Sequence, residues 1–265
     1  MAGGRQLLSP GQRQRQVLFV LFVASILATI AVLPFALTLQ GDAFENLPFS
    51  FEVLIILSIV QAGVMFFIAI FLGLFLAKKV GFELPILERL VEKKPIKSQI
   101  KAILIPSIGL GVIAGALIIL ADLLFSLSNE SISIEGTGVP IWQGFLASFY
   151  GGITEEILLR LFFMSLIVFI FYKIKKTDDE KPTNLSIWVA IIIAAIVFGI
   201  GHLPFTASLI DITPLIIVRA IVLNSIGGII FGWLYWKKGL ESSMISHFTT
   251  DIVLYVILPM ILLLR

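Results

Sequence analysis

Long apolar stretches separated by short polar connections make up most of the chain. A run of about 20 apolar residues is long enough to cross the hydrocarbon core of a bilayer as a helix. Runs of roughly that length occupy residues 17–39, 51–77, 102–127, 184–201, 214–236 and 240–264, and a longer one occupies 139–172. The pattern predicts an all-α fold, a polytopic transmembrane helical bundle of about seven (7–8) spans with a polar intramembrane cavity.

The run at 139–172 would be about 50 Å long as a single helix, which is more than one simple span needs. Gly151 and Gly152 lie near its middle, and a glycine pair is a common place for a helix to break. We therefore predict a short amphipathic helix before the glycines and a spanning helix from about Ile153. In that arrangement Glu155 falls in the first turns of the spanning helix, where the helix dipole favours negative charge.

Residues 1–16 are predicted to form a cytoplasmic N-terminal tail, followed by a single integral membrane domain at 17–265. A signal peptide is the rival interpretation of the first run, but that run is long and lacks a small-residue cleavage pattern. Residues around 84–91 are expected to form an amphipathic helix at the membrane interface. Asp122, near the end of the third run, is interpreted as a hydrated interfacial residue.

The composition excludes a soluble globular protein, because 58% of the residues are hydrophobic and the mean hydropathy is +1.07. The chain contains no cysteine, which removes disulfides, thiol nucleophiles and thiolate metal sites. Any metal would need His, Asp and Glu as ligands. Any protease would have to belong to a class other than the cysteine proteases.

The basic residues are distributed unequally between the two ends of the spans. Nearly all lysines and arginines lie in the N-terminal tail and in the connections at 78–101, 173–183 and 237–238, whereas the alternate connections contain none. The positive-inside rule then predicts a cytoplasmic N-terminus and an external C-terminus. We expect an integral multi-pass protein of the plasma membrane in this orientation.

Charged residues inside an apolar run are expensive and commonly mark function, and Glu155, Glu156 and Arg160 lie inside the fourth run. On a helix, Glu156 and Arg160 are four residues apart and share a face, so they can pair. Glu155 is rotated by about 100° and lacks that partner. In one interpretation Glu155 is a general base for a water and the pair supports it. In the other, all three form a buried network with a structural role only.

The only two histidines of the chain each have a neighbour at helical spacing. Phe198 precedes His202 by one helical turn, and Asp251 follows His247 by one turn. A carboxylate can fix the tautomer of an imidazole by accepting its second N–H. Taken alone, each histidine is equally well a capped or satisfied polar residue. Together with Glu155 they match a hydrolase, because Glu and His can polarise a water and a second His can stabilise an oxyanion.

Three spaced motifs therefore occur in a fixed order along the chain. They are Glu155-Glu156-x-x-x-Arg160, Phe198-x-x-x-His202 and His247-x-x-x-Asp251. This set resembles the signature of the CAAX-protease and bacteriocin-processing (CPBP, Abi) intramembrane proteases, of which the Rce1-type prenyl-protein endopeptidases are the best-known members. The resemblance covers about residues 140–255. It implies a glutamate-type intramembrane endopeptidase with no catalytic metal and no other cofactor.

The resemblance also implies roles for individual residues. Glu155 would activate the hydrolytic water together with His202, while His247 and Asp251 would form the oxyanion side, supported by the Glu–Arg pair and by Phe198. Rce1-type members often have Asn where this chain has Asp251. An ionised Asp cannot donate a hydrogen bond to an oxyanion, so we expect Asp251 to orient His247 or to be protonated.

The implied partners are membrane lipids and a peptide or membrane-protein substrate, with a lipidated, prenylated CAAX-type C-terminus as one candidate, and no nucleic acid. Two other interpretations of the residues stay open. One is a zinc-dependent intramembrane peptidase that uses Glu155, His202 and His247. The other is a non-catalytic membrane protein, such as an immunity protein, a scaffold or a transporter. The sequence has no His-Glu-x-x-His motif and no Gly-x-Ser-x-Gly elbow.

The depths of the two histidines conflict with a common site. Counted along a helix from residue 184, His202 lies about 27 Å in, almost at the outer face. His247 lies only about 12 Å from an inner boundary near residue 239. We expect tilt, a re-entrant segment or misplaced span ends to bring them together. The resemblance favours cytoplasmic access to the cavity, whereas the position of His202 favours the outer half.

Overall fold

The computed structural model describes residues 9–44, 50–127 and 138–264 of the chain. Within these ranges the regular structure is helical, apart from an isolated antiparallel bridge between Lys176 and Pro182. Seven helices of the described part are long and apolar enough to cross a membrane. The predicted all-α polytopic bundle of about seven spans is therefore confirmed.

The first three spans are long helices, with a short helix before the third. They comprise α1 (Pro10–Phe44), α2 (Phe51–Val80), α3 (Leu87–Val91) and α4 (Lys97–Ser126). α1 begins at Pro10 instead of at residue 17, because Ser9 and Gln12 cap its start. The Gln12 N–H donates to Ser9 Oγ at 3.3 Å and the Ser9 N–H donates to Gln12 Oε1 at 2.8 Å, the reciprocal pattern of a capping box. Residues 1–8 of the predicted tail lie outside the described residues.

The fourth span is helical from Ile141 to Ile174. It consists of α5 (Ile141–Phe149), the π-helical turns Tyr150–Glu155 and Ile157–Met164, and α6 (Ser165–Ile174). The predicted break at the two glycines is wrong, because the helix widens into π-helical turns at that point and continues. Such turns keep the backbone groups hydrogen-bonded inside the helix, as the membrane interior requires.

The last three spans follow in the predicted order. They comprise α7 (Asn184–Gly201), the short α8 (Leu203–Ala207), α9 (Pro214–Lys238), and α10 (Leu240–Ile252), which continues through the π-helical turn Val253–Ile257 into α11 (Leu258–Leu263). Threonine side chains cap two of these helices, since Thr183 Oγ1 accepts from the Ser186 N–H and Thr213 Oγ1 from the Ile216 N–H. Both caps satisfy backbone donors that a helix start leaves free.

The two glycines of the fourth span allow a close contact with another helix. A Cβ atom at Gly152 would lie 2.9 Å from Phe248 Cβ and 3.1 Å from the Met244 carbonyl, both on α10. Small residues allow the backbones of membrane helices to approach in this way. The glycine pair therefore marks where the fourth and seventh spans meet.

α10 begins beneath the connection that contains α3. The Leu240 N–H donates to the Glu83 carbonyl at 3.1 Å, and Leu240 is fully buried. Glu241 Oε1 accepts from the N–H groups of Ile86 at 3.0 Å and Leu87 at 2.7 Å. The segment predicted as an interfacial helix thus contacts the start of the seventh span through these hydrogen bonds.

A charged cluster joins the start of α1 to the segment after α3. Arg13 Nη1 lies 3.0 Å from Glu92 Oε1, and Lys94 Nζ lies 2.5 Å from Glu92 Oε2. The hydrogen bond from Lys94, with that from Arg13, lowers the pKa of Glu92. The carboxylate is therefore ionised at neutral pH and can pair with both cations.

Asp122 is not simply hydrated, as the sequence predicted. Its Oδ1 atom lies 2.7 Å from Arg219 Nε and 2.6 Å from Arg219 Nη2, and Arg219 is 7% exposed. A buried guanidinium needs such an anion. The sequence prediction treated each residue alone and missed this pairing between α4 and α9.

The apolar core lies between the fourth span and its neighbours. Phe66 and Ile70 of α2 and Ile157 and Leu161 of the fourth span are fully buried in one cluster. Large apolar side chains also cover the outer surface, such as Ile105 at 79% exposed. An apolar exterior of this extent is what a lipid-facing surface requires.

Candidate active site

Two adjacent glutamates of the fourth span occupy different environments. Glu155 ends the first π-helical turn, and its side chain is 20% exposed. Glu156 follows it and is fully buried. The helical rotation between neighbouring residues separates the two carboxylates. Glu155 faces an accessible space, whereas Glu156 faces the interior.

Glu156 is the centre of a buried polar network. Its Oε1 atom lies 3.3 Å from Arg160 Nη1 and accepts a hydrogen bond from His247 Nδ1 at 2.7 Å. Its Oε2 atom accepts a hydrogen bond from Ser243 Oγ. The predicted pairing of Glu156 with Arg160 one turn later is therefore present. The contacts with His247 and Ser243 join the fourth span to α10.

The guanidinium of Arg160 lies between two aromatic rings. Its central carbon is 5.0 Å from the ring centre of Phe198 and 5.4 Å from that of Phe231, distances typical of cation–π contacts. Its Nη2 atom donates to the Gly228 carbonyl at 3.2 Å. Arg160 thus connects the fourth span with α7 and α9, and Phe198 supports the site as a packing partner.

Glu155 lies near both histidines of the chain. Its Oε1 atom is 3.9 Å from His202 Nε2, and its Oε2 atom is 3.5 Å from His247 Nε2. The depth conflict inferred from helix lengths does not occur in the fold. The count for His247 took residue 239 as a membrane boundary, whereas Leu240 at the start of α10 is fully buried and its N–H donates to the Glu83 carbonyl.

His202 is held by its own helix. Its Nδ1 atom lies 2.8 Å from the Phe198 carbonyl, and a carbonyl can only accept, so Nδ1 carries the proton. The Nε2 atom of the neutral ring is then an acceptor directed towards Glu155. The edge-to-face contact between the rings of Phe198 and His202, with centres 4.8 Å apart, further restricts the imidazole.

The imidazole ring of His247 is held by contacts on its flat face and at its nitrogen atoms. Its ring stacks on Phe231, with centres 4.5 Å apart and an interplanar angle of 19°. Nε2, on the other side of the ring from the Glu156 contact, lies 3.5 Å from Glu155 and 3.7 Å from Asp251 Oδ1. We expected Asp251 to orient this ring, but Glu156 provides the hydrogen bond that does so.

Asp251 lies at the same end of the site as Nε2 of His247. The residue is 7% exposed, and its carboxylate lies directly against Gly151 of the fourth span, so that a Cβ atom at Gly151 would overlap Asp251 Oδ2. The same Cβ atom would lie 3.0 Å from His247 Nε2. The absence of a side chain at Gly151 therefore leaves room for both groups.

The sequence prediction missed two residues of this network. Ser243 lies one helical turn before His247, and this spacing was the signal that could have identified it. Phe231 lies in a glycine-rich stretch of α9 and looks like any other apolar residue of that span. Its stacking on His247 arises from the packing of α9 against α10, which no local pattern reveals.

The carboxylates and imidazoles converge without forming a typical metal cage. No group of three or more His, Asp or Glu side chains in the described ranges is arranged to hold a metal ion. Glu156 and Arg160 are directed away from the accessible space and towards each other. The arrangement can deprotonate a bound water at Glu155 or His202 and can hold a polarised oxygen near His247.

A comparison with family models identifies the same region. Residues 137–253 match the model described as Type II CAAX prenyl endopeptidase Rce1-like. No curated protein and no solved structure matches the chain. The matched segment includes all three motifs and the parts of the four spans that contribute to the site.

Proposed function

The chain belongs to the Rce1-like family over residues 137–253, and from this premise we propose that it is a glutamate-type intramembrane endopeptidase. The family is one of proteases that act on membrane-associated proteins. One observation carries the proposal for this chain. The Glu155 carboxylate lies within 4 Å of the Nε2 atoms of both His202 and His247, and those are the only histidines of the sequence.

The proposed general base is Glu155, assisted by His202. Because the Phe198 carbonyl holds the proton of His202 on Nδ1, both the Nε2 atom and the carboxylate are acceptors. One water molecule can therefore donate one hydrogen to each, with its lone pair directed at a peptide carbonyl. The water oxygen bonds to the carbonyl carbon as its proton passes to Glu155. When the tetrahedral intermediate breaks its C–N bond, Glu155 returns this proton to the departing amine.

The proposed oxyanion side consists of His247 and Asp251. His247 already donates from Nδ1 to Glu156, so a second donor at Nε2 requires the imidazolium form. Asp251 can donate only when it carries a proton. In that state the cations Arg160 and His247 balance the anions Glu155 and Glu156. Because an uncompensated charge is costly in a buried membrane site, a cluster with zero net charge is favoured.

We further propose that the substrate is the C-terminal segment of a membrane-anchored protein, with a prenylated CAAX sequence as the first candidate. We propose that the protein lies in the plasma membrane, and the basic ends of the spans support a cytoplasmic N-terminus. Residues 17–265 are proposed to form one integral domain.

The test is cleavage of a fluorogenic peptide in which a prenylated cysteine is followed by three residues, with purified protein in lipid vesicles. We expect release of the three-residue product by the native protein and a rate at least about 100-fold lower for Glu155→Gln. Glu52→Gln, at the exposed start of α2, is the matched control and should cleave at the native rate.

Three results would contradict the proposal in different ways. Equal rates for Glu155→Gln and Glu52→Gln would exclude Glu155 as the base. Activity that is lost in a chelator and restored by Zn²⁺ would favour the zinc peptidase instead. If the native protein cleaves neither the prenylated peptide nor an unprenylated copy, a non-catalytic role for this membrane protein would be favoured.

A further inference from the structure

Ser243 is buried in the polar network but has no role in the reaction proposed above. It is fully buried on α10, and its Oγ atom contacts Glu156 Oε2 and, at 2.9 Å, the Phe231 carbonyl. We propose that Ser243 is a positioning residue, which holds the Glu156 carboxylate so that its other oxygen binds Nδ1 of His247. This inference rests on the proposed function, because it concerns the same site.

The single hydroxyl proton of Ser243 has two acceptors within reach. The Phe231 carbonyl belongs to the interior of α9, where a later N–H of the helix also bonds it. The Glu156 carboxylate is charged, and hydrogen bonds to a charged acceptor are the stronger ones. The hydroxyl of Ser243 therefore donates to Glu156.

This bond divides the donors between the two carboxylate oxygens. Oε2 receives the hydroxyl of Ser243, whereas Oε1 receives Nδ1 of His247 and lies near Arg160 Nη1. With both oxygens engaged, the carboxylate cannot rotate about its terminal bond. Its orientation keeps the His247 proton on Nδ1 and directs Nε2 towards Glu155.

Arg160 is the competitor that makes this positioning necessary. Its Nε and Nη1 atoms are buried and have no hydrogen-bond partner among the described residues. A guanidinium with free donors tends to engage both oxygens of a carboxylate at once. Without the hydroxyl of Ser243, Glu156 would be free to turn towards Arg160, and Oε1 would move away from His247.

The adjacent residue Ser242 offers a matched control. It is also fully buried, but its Oγ atom lies 2.7 Å from Ser107 Oγ of α4 and not near Glu156. Ser242→Ala and Ser243→Ala remove the same atom from neighbouring positions on one helix. A difference between the two variants therefore reports the contact with Glu156 and not the loss of a buried hydroxyl.

The first measurement is the ¹⁵N spectrum of the histidine rings in the full-length protein. Only two rings contribute, and a His202→Gln sample assigns them. We expect the native His247 to carry a hydrogen-bonded proton on Nδ1, and Ser242→Ala to preserve that signal. In Ser243→Ala the Nδ1–H signal should shift and exchange faster with water. A bare Nδ1 in the native protein, or identical spectra for the two variants, would overturn the proposal.

The second measurement is cleavage of the prenylated peptide. Ser243→Ala should lower kcat about tenfold, with KM within about twofold of native, since the hydroxyl acts on His247 and not on substrate binding. Ser242→Ala should retain the native kcat. Equal kcat values for the two variants would overturn the positioning role. If no variant and no native protein cleaves the peptide, the proposed function fails, and the ¹⁵N spectra alone still decide the contact between Ser243, Glu156 and His247.

Discussion

Adjacent residues of identical type can have different chemistry when they lie on a helix. Glu155 and Glu156 are separated by one peptide bond, yet Glu156 is fully buried with a hydroxyl, an imidazole and a guanidinium around it. Glu155 has the accessible position near both Nε2 atoms. The difference comes from the rotation of about 100° per helical residue. As a result, Glu156 compensates the charge of Arg160, and Glu155 is left as the candidate base.

Asp251 provides the sharpest prediction at the residue scale. If Asp251 is protonated and donates to the oxyanion, Asp251→Asn keeps a donor in the same place. We expect this variant to cleave within about threefold of the native rate, while Asp251→Ala is slower by at least about 100-fold, the usual loss for an oxyanion donor. The measurement is kcat on the prenylated peptide.

Asp211, exposed in the connection before α9, provides the control for this pair of variants. Asp211→Asn and Asp211→Ala should both cleave at the native rate. Equal inactivity of Asp251→Asn and Asp251→Ala would contradict the donor role. It would instead make Asp251 an ionised counter-charge to His247, whose Nε2 atom lies 3.7 Å away.

At the scale of elements, the site depends on the close contact between the fourth span and α10. The π-helical turns Tyr150–Glu155 and Ile157–Met164 flank Glu156, and π-helical turns commonly occur at functional sites. Gly151 and Gly152 let the α10 backbone and its polar side chains approach this region. The two elements together form one wall of the site.

Gly151→Ala tests this contact. The added methyl group would overlap the Asp251 carboxylate and lie 3.0 Å from His247 Nε2, so these site side chains or one of the elements must shift. We expect a loss of about 1–3 kcal/mol in the free energy of unfolding and a fall in cleavage rate of at least about 100-fold. Thermal unfolding in detergent and kcat on the prenylated peptide measure the two effects.

Gly109→Ala is the matched control, since Gly109 lies within α4 and a Cβ atom there meets nothing within 4 Å. Removal of a helical glycine at an open position should raise stability by about 0.5–1 kcal/mol and leave the cleavage rate unchanged. If Gly151→Ala behaves like Gly109→Ala, the close packing of the two elements is not needed for activity.

At the scale of the whole molecule, the distribution of charge predicts the orientation in the membrane. The connection at 173–183 is rich in lysine, whereas the connection at 202–213 contains no lysine or arginine. The two connections lie at opposite ends of α7. By the positive-inside rule we propose that the first is cytoplasmic and the second external.

The natural absence of cysteine makes this orientation easy to measure. Asp178→Cys and Asp211→Cys each introduce a single thiol at an exposed position in one of these connections. In intact cells a membrane-impermeant maleimide should label Asp211→Cys at once and Asp178→Cys only after permeabilisation. The reverse pattern would place the N-terminus outside the cell and would contradict the proposed topology.

The sequence by itself determined the features that depend on local periodicity and on the cost of charge in lipid. The length of the apolar runs gave the all-α bundle and its spans. Helical spacing gave the pairing of Glu156 with Arg160, and the scarcity of ionisable residues in the runs pointed to Glu155, His202 and His247. The bundle and the Glu156–Arg160 pairing were predictable because they need only the geometry of a single helix. The roles of Glu155, His202 and His247 stay predictions.

Only the tertiary structure decided how the helices meet. The sequence predicted a break at Gly151 and Gly152, but the helix continues there through π-helical turns. The two glycines instead lie against α10, where a side chain would collide. The tertiary structure assigned His247 to Glu156 instead of Asp251, and it added Ser243 and Phe231 to the site. These contacts join residues far apart in the chain, and their distances depend on the depth and rotation of each helix. Spacing along the sequence does not contain that information, because the packing between helices sets it.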